Sequence, residues 1–118
     1  MALIVRRRWR FYRTESGQSP VKDFVDGLPD EQAAHIAAAM KAARDEGLDL
    51  ARHLRDDIYE VRARAGRLSF RILFSVEGKK GRILLALCAF SKKTPKTPQQ
   101  VIGLAETRLA DWRRRSHD

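Results

Sequence analysis

The strongest constraint on the fold is a pair of strand signals in the second half of the chain. Leu68, Phe70, Ile72, Phe74 and Val76 alternate with Ser69, Arg71, Leu73 and Ser75, the period of two expected of a strand whose faces meet different surroundings. Glu77–Gly81 then offers turn residues. Ile83–Phe90 follows and is apolar on both faces, as in a strand covered on both sides. Upstream, Ile58–Ala63 places Tyr59 and Val61 on one face and Glu60 and Arg62 on the other, and Ala65-Gly66 supplies a turn. These segments are predicted to be antiparallel hairpin partners.

The rest of the chain reads as one further strand and three helices. Trp9–Tyr12 is short and aromatic-rich, a first strand. Ser19-Pro20 opens a short helix with Val21, Phe24, Val25 and Leu28 apolar, ending near Pro29. Asp30 caps a second helix to about Glu46, with Gly47 just past its end. Its Ala33, Ile36, Ala37, Met40 and Ala43 form a core-facing stripe. Thr97-Pro98-Gln99-Gln100 reads as a capping box, the Thr97 hydroxyl capping and Gln100 reaching back. Val101, Leu104, Ala105, Leu109 and Trp112 mark one face of the helix beyond. The order predicts an α+β domain, residues 1–118, with two N-terminal helices and a C-terminal helix packed on a small antiparallel sheet.

Charge narrows the function. The net charge is +9, yet residues 1–60 hold 10 Lys and Arg against 11 Asp and Glu, a balance of −1. Residues 61–118 hold 14 against 4, a balance of +10. A polyanion would be drawn to that second half, and nucleic acid is the commonest such partner. Arg6, Arg7 and Arg8 are followed by no apolar segment of the kind a signal peptide needs, and no apolar run approaches a membrane span. The single Cys88 cannot form an internal disulfide, which fits a reducing cytoplasm.

Two groups of residues could carry chemistry. If the strands pair as a hairpin, Glu60, Arg62 and Arg71 share a sheet face. Two guanidiniums beside a carboxylate can grip a phosphate, and the carboxylate can accept a proton. Spacing alone favours a solvated cross-strand ion-pair ladder, and Arg71 is expected at an exposed position. The second group is Ser91-Lys92-Lys93-Thr94-Pro95-Lys96-Thr97-Pro98, cations and hydroxyls leaving the end of a buried strand, which is also the pattern of a polar linker. His35, His53 and His117 have no metal-ligand spacing. Arg113-Arg114-Arg115 reads as a helix-end charge run that suits the helix dipole and is free to fray.

Several of these segments resemble the phage-derived, HigB-like toxins of the RelE/ParE superfamily. The resemblance begins at Phe11-Tyr12, Ser16-Gly17, Pro20-Val21 and Phe24. Leu54 and Ile58-Tyr59-Glu60-Val61-Arg62 are similar to that family's L-x-x-G-L-Y-E-L-R segment, with Asp57 where the glycine stands. Phe70–Phe74 resembles its Y-R-I-L-Y strand, and Phe90-Ser91-Lys92-Lys93-Thr94 with Thr97-Pro98 its F-x-K-K-T-x-x-T-P signature. The resemblance implies a RelE-like fold, a type II toxin, and a metal-independent, cofactor-free endoribonuclease that cleaves messenger RNA on ribosomes in the cytoplasm. It also implies a helix-turn-helix, HigA-like antitoxin as partner.

Carried onto this chain, the catalytic positions are Arg71, Arg62, Glu60, Lys92 and Lys93. The surface expected to meet RNA and ribosome comprises Lys79, Lys80, Arg64, Arg67 and Lys96. One departure stands out: Cys88-Ala89-Phe90 occupies a place where relatives often carry histidine before glycine-phenylalanine. A ParE-like inhibitor of DNA gyrase and an inactive nucleic-acid-binding module are the alternative readings, and fold alone does not separate them.

Overall fold

A computed structural model describes residues 6–92 and 96–115. The strand β1 (Arg8–Phe11) leads to helices α1 (Pro20–Asp26) and α2 (Asp30–Glu46). Four strands follow, β2 (Arg52–Arg55), β3 (Ile58–Ala65), β4 (Leu68–Glu77) and β5 (Ile83–Lys92), and then helix α3 (Gln99–Arg115). The sheet order is β1-β5-β4-β3-β2. The predicted α+β layout holds, and so does the reading of β5 as a strand covered on both sides. Val21, Ile36, Met40 and Ala43 of α1 and α2 pack on Phe70, Ile72, Phe74, Leu84 and Ala86. Ile102, Ala105 and Leu109 of α3 cover the other face, against Ile58, Leu73, Leu85, Leu87 and Cys88. Each fully buried Leu, Ile or Phe in these layers contributes about 1.5–3 kcal/mol.

Two features of the sheet differ from expectation. It is mixed, because β1 runs parallel to β5, pairing Arg8 with Ile83 and Phe11 with Ala86. The Trp9 indole anchors this edge, donating to the Met40 carbonyl at 2.7 Å. The second difference is β2, whose Arg-His-Leu-Arg has no apolar alternation; it forms because Arg52 and His53 pair with Glu60 and Tyr59 of β3. The His53 and Tyr59 rings lie 4.8 Å apart. Asp56, with φ at 46°, makes the turn between these strands.

A bulge in β5 sets which residues face α3. Leu73 pairs with Cys88, but Phe74 pairs with Ala86, so Leu87 is the extra residue. Leu85, Leu87 and Cys88 all pack in the α3 layer. Beyond the bulge the alternation is inverted, and Phe90 and then Lys92 fall on the α3 side. Bulges commonly re-aim side chains in this way beside functional sites.

The capping-box expectation for α3 is corrected. The helix starts at Gln99, and the Thr97 hydroxyl is spent on the sheet rather than on the helix. The arginine run at the other end is also held rather than frayed. Arg113 grips Glu77 with two bonds of 2.8 Å, and Arg114 and Arg115 both reach Asp111.

Candidate active site

Arg62 of β3 stands directly opposite Arg71 of β4, and Arg71 is paired on its other side with Phe90 of β5. Strand alternation puts all three side chains on the α3 face, together with Glu60. The next row outward on that face is Arg64, Ser69 and Lys92, also in register. The sheet thus lays two transverse rows of three residues near the start of α3.

Hydrogen bonds tie the inner row together. Arg62 Nε donates to Glu60 Oε1 at 2.5 Å, and the Thr97 hydroxyl donates to Glu60 Oε2. Arg71 Nη1 donates to the same hydroxyl at 3.1 Å. The Arg71 guanidinium lies 5.9 Å from the centre of the Phe90 ring, within cation–π range. Thr97 therefore bridges the carboxylate and the second guanidinium.

Contrary to expectation, Arg71 is not exposed. Arg71 and Glu60 each show 1% of their surface to solvent, whereas the Arg62 side chain shows 29%. Burial lowers the Arg71 pKa, the like charge of Arg62 adds to that, and Glu60 opposes it. A guanidinium starts so far above neutrality that Arg71 stays charged at physiological pH. Glu60, Arg62 and Arg71 sum to one positive charge in a poorly solvated place, an environment suited to an anion.

The remaining candidates divide by position. Arg64 and Lys92 border the cluster, Arg67 sits in the β3–β4 turn, and Lys96 is exposed just before Thr97. Lys93 lies outside the described residues. Lys79 and Lys80 are in the β4–β5 turn, at the far end of the sheet from Arg71. Sequence reasoning counted Thr97 both as a helix cap and among the hydroxyls of the segment after β5 but did not join it to Glu60 and Arg71, and it missed Arg52, which stands opposite Glu60 in register on the strand that left no periodic signal; the charge of Arg52 also lowers the Arg71 pKa. Cys88 does not substitute for a histidine. It is buried, its pKa is raised by that burial against a partial offset from Arg108, and a protonated thiol is a poor proton acceptor.

The fold and this arginine–carboxylate face define a class: small basic α+β proteins with a cluster of arginines and a carboxylate on one side of the sheet. A family model described as phage derived protein Gp49-like (DUF891) matches residues 23–110. The curated relatives include "Probable endoribonuclease HigB1" of two Mycobacterium tuberculosis strains, CDC 1551 / Oshkosh and ATCC 25618 / H37Rv. Each is 33% identical over 109 residues, covering 90% of this chain and 85% of the relative. The chain belongs to the Gp49-like family of HigB-like toxins.

Proposed function

We propose that the chain is the toxin of a type II toxin–antitoxin pair, an endoribonuclease that cuts messenger RNA on translating ribosomes without a metal. The observation that carries this reading is the in-register pair Arg62 and Arg71, bound through Glu60 and Thr97 into one cluster. The name of the mycobacterial relatives supports ribonuclease activity. The ribose 2′-hydroxyl attacks the adjacent phosphorus, the O2′–P bond forms and the P–O5′ bond breaks. A 2′,3′-cyclic phosphate and a 5′-hydroxyl result. DNA lacks that internal nucleophile.

Each residue then has a part. Arg62, the more open guanidinium, binds the phosphate and draws away from Glu60 Oε1. That oxygen becomes available to take the 2′-hydroxyl proton. Arg71 neutralises the charge growing on the phosphoryl oxygens. Lys92 protonates the departing 5′-oxygen. The ribosome supplies much of the alignment of the strand, so a short list of protein groups suffices. A HigA-like antitoxin would restrain the toxin in the cytoplasm.

Induction without antitoxin tests this. Pulse-labelling is expected to show protein synthesis stopping before DNA synthesis, with transcripts cut. Lys92→Ala should slow cleavage by roughly 10²-fold or more, in line with loss of a general acid. DNA synthesis stopping first over intact transcripts would establish the gyrase-inhibitor reading instead.

A further inference from the structure

On the α3 side of the sheet, cations stand on four successive strands: Arg52 on β2, Arg62 on β3, Arg71 on β4 and Lys92 on β5. Their register sets them along a diagonal. Arg52 is opposite Glu60, and Arg62, opposite Arg71, is one pleat further along β3. Lys92, opposite Ser69, is one pleat beyond the row of Arg71. Arg52 and Arg62 are therefore diagonal neighbours, roughly 7–8 Å apart and within reach of each other for long side chains. Arg62, Arg71 and Lys92 each have a part in the reaction proposed above, and Arg52 has none.

Although β2 is an edge strand, it is held in place. It pairs with β3, and the His53 ring lies 4.8 Å from that of Tyr59. Arg55 reaches across to α3, donating to Gln99 Oε1 and Glu106 Oε1 at 2.5 Å each. The carboxylate opposite Arg52 is committed elsewhere. Glu60 Oε1 accepts from Arg62 and Oε2 from Thr97, and among the described residues no ion pair joins that carboxylate to Arg52. Arg52 is exposed, yet its charge acts on Arg71. It is placed to meet an anion next to Arg62 without any bond of the inner row being broken.

The roles proposed above give the diagonal a direction. Glu60, which takes the 2′-hydroxyl proton, is on β3 opposite Arg52, and Lys92, which protonates the departing 5′-oxygen, is on β5. The nucleotide that supplies the nucleophile therefore lies toward β2, and the nucleotide that leaves lies toward β5. The next anion on the β2 side is the phosphate that precedes the attacking nucleotide.

We propose that Arg52 binds that phosphate, so that messenger RNA crosses the sheet with its 5′ side over β2 and its 3′ side over β5. The proposal rests on the ribonuclease reading above and adds to it a second phosphate subsite and a strand polarity.

Short synthetic messages on purified ribosomes test this, once the cut made by wild type has been mapped. One message is ordinary. In the other, the linkage preceding the attacking nucleotide is a methylphosphonate, which carries no charge. In both, the nucleotide before that linkage is 2′-deoxy, so the altered linkage has no neighbouring nucleophile. Wild type should cut the neutral-linkage message about tenfold more slowly, the loss expected of one charge-assisted contact. Arg52→Gln should cut the ordinary message about tenfold more slowly and lose nothing further on the neutral one. Arg52→Lys should recover part of the rate, since it keeps the charge without the planar fork. Each protein is compared with itself on the two messages, so a smaller folded fraction cancels from the ratio. The same ratio for wild type and Arg52→Gln would mean that Arg52 does not touch this phosphate, and would overturn the proposal. Undiminished cutting of the ordinary message by Arg52→Gln would overturn it too. Coupling of Arg52 to a methylphosphonate on the 3′ side of the cut instead would reverse the polarity and equally overturn it. Wild type leaving the ordinary message intact would instead remove the ribonuclease reading, and this proposal with it.

Discussion

Arg71 and Glu60 are the charged side chains most completely shut away from water, and each bonds the Thr97 hydroxyl. Replacing Arg71 by Ala leaves the Glu60 carboxylate in a buried site with its charge balance disturbed. A substitution at an exposed strand position would be nearly neutral. Here the expected loss is about 3 kcal/mol, the range for breaking a buried charge cluster, together with loss of cleavage. Urea unfolding alongside a cleavage assay would measure both, and an unchanged midpoint would contradict the buried placement. Thr97→Val keeps the shape and removes the hydroxyl. It is expected to cost about 1–3 kcal/mol, the penalty for unsatisfied buried polar groups, and to slow cleavage roughly tenfold or more at the same penalty. Thr97→Ser should recover most of both. A threonine before proline and a polar pair looks like a helix cap in one dimension. Only the register of β3 against β4 reveals that Glu60 and Arg71 converge on it.

Helix α3 covers the apolar layer of Ile58, Leu73, Leu85 and Leu87 and is the element most visibly fastened by ion pairs. Asp111 accepts from Tyr12 at 2.6 Å and from Arg115 at 2.6 Å. First Arg115 and then Tyr12 hold its carboxyl well below the ordinary value of 3.8. Because the folded pKa is the lower one, this contribution is complete above the unfolded value and is lost as pH falls through the folded one. Thermal melts of wild type should therefore lose stability on acidification below about pH 4 more steeply than those of Asp111→Asn. Parallel curves for the two proteins would mean that the pairing adds nothing to stability. The helices and long strands were readable in the sequence because their apolar periodicity is local. The strand β2 was not, because its four residues are specified by their partners on β3. Nor was the bulge at Leu87, since an all-apolar run hides a change of face. That change of face is what sets Lys92 beside Arg71.

Taken whole, a buried arginine–carboxylate cluster lies toward one end of the sheet, and a cleft lined by Arg6, Arg7, Arg8, Lys79 and Arg82 lies at the β4–β5 turn. Counting charge by halves of the sequence separates Arg6, Arg7 and Arg8 from Lys79 and Arg82, which the parallel pairing of β1 with β5 brings together in space. Among the described residues no helix is long and apolar enough to cross a membrane. The family resemblance, carried by short segments in order, pointed to the sheet face that gathers Glu60, Arg62 and Arg71, while the degree of their burial depended on tertiary packing alone. The most direct test of the central claim is cleavage of a reporter mRNA in a purified translation system, with and without ribosomes, followed by analysis of the new ends. The account predicts cutting only when ribosomes are translating the message, with 2′,3′-cyclic phosphate and 5′-hydroxyl termini, and none with Arg71→Ala. Intact message in the presence of active toxin, or equal cutting of naked RNA, would contradict it.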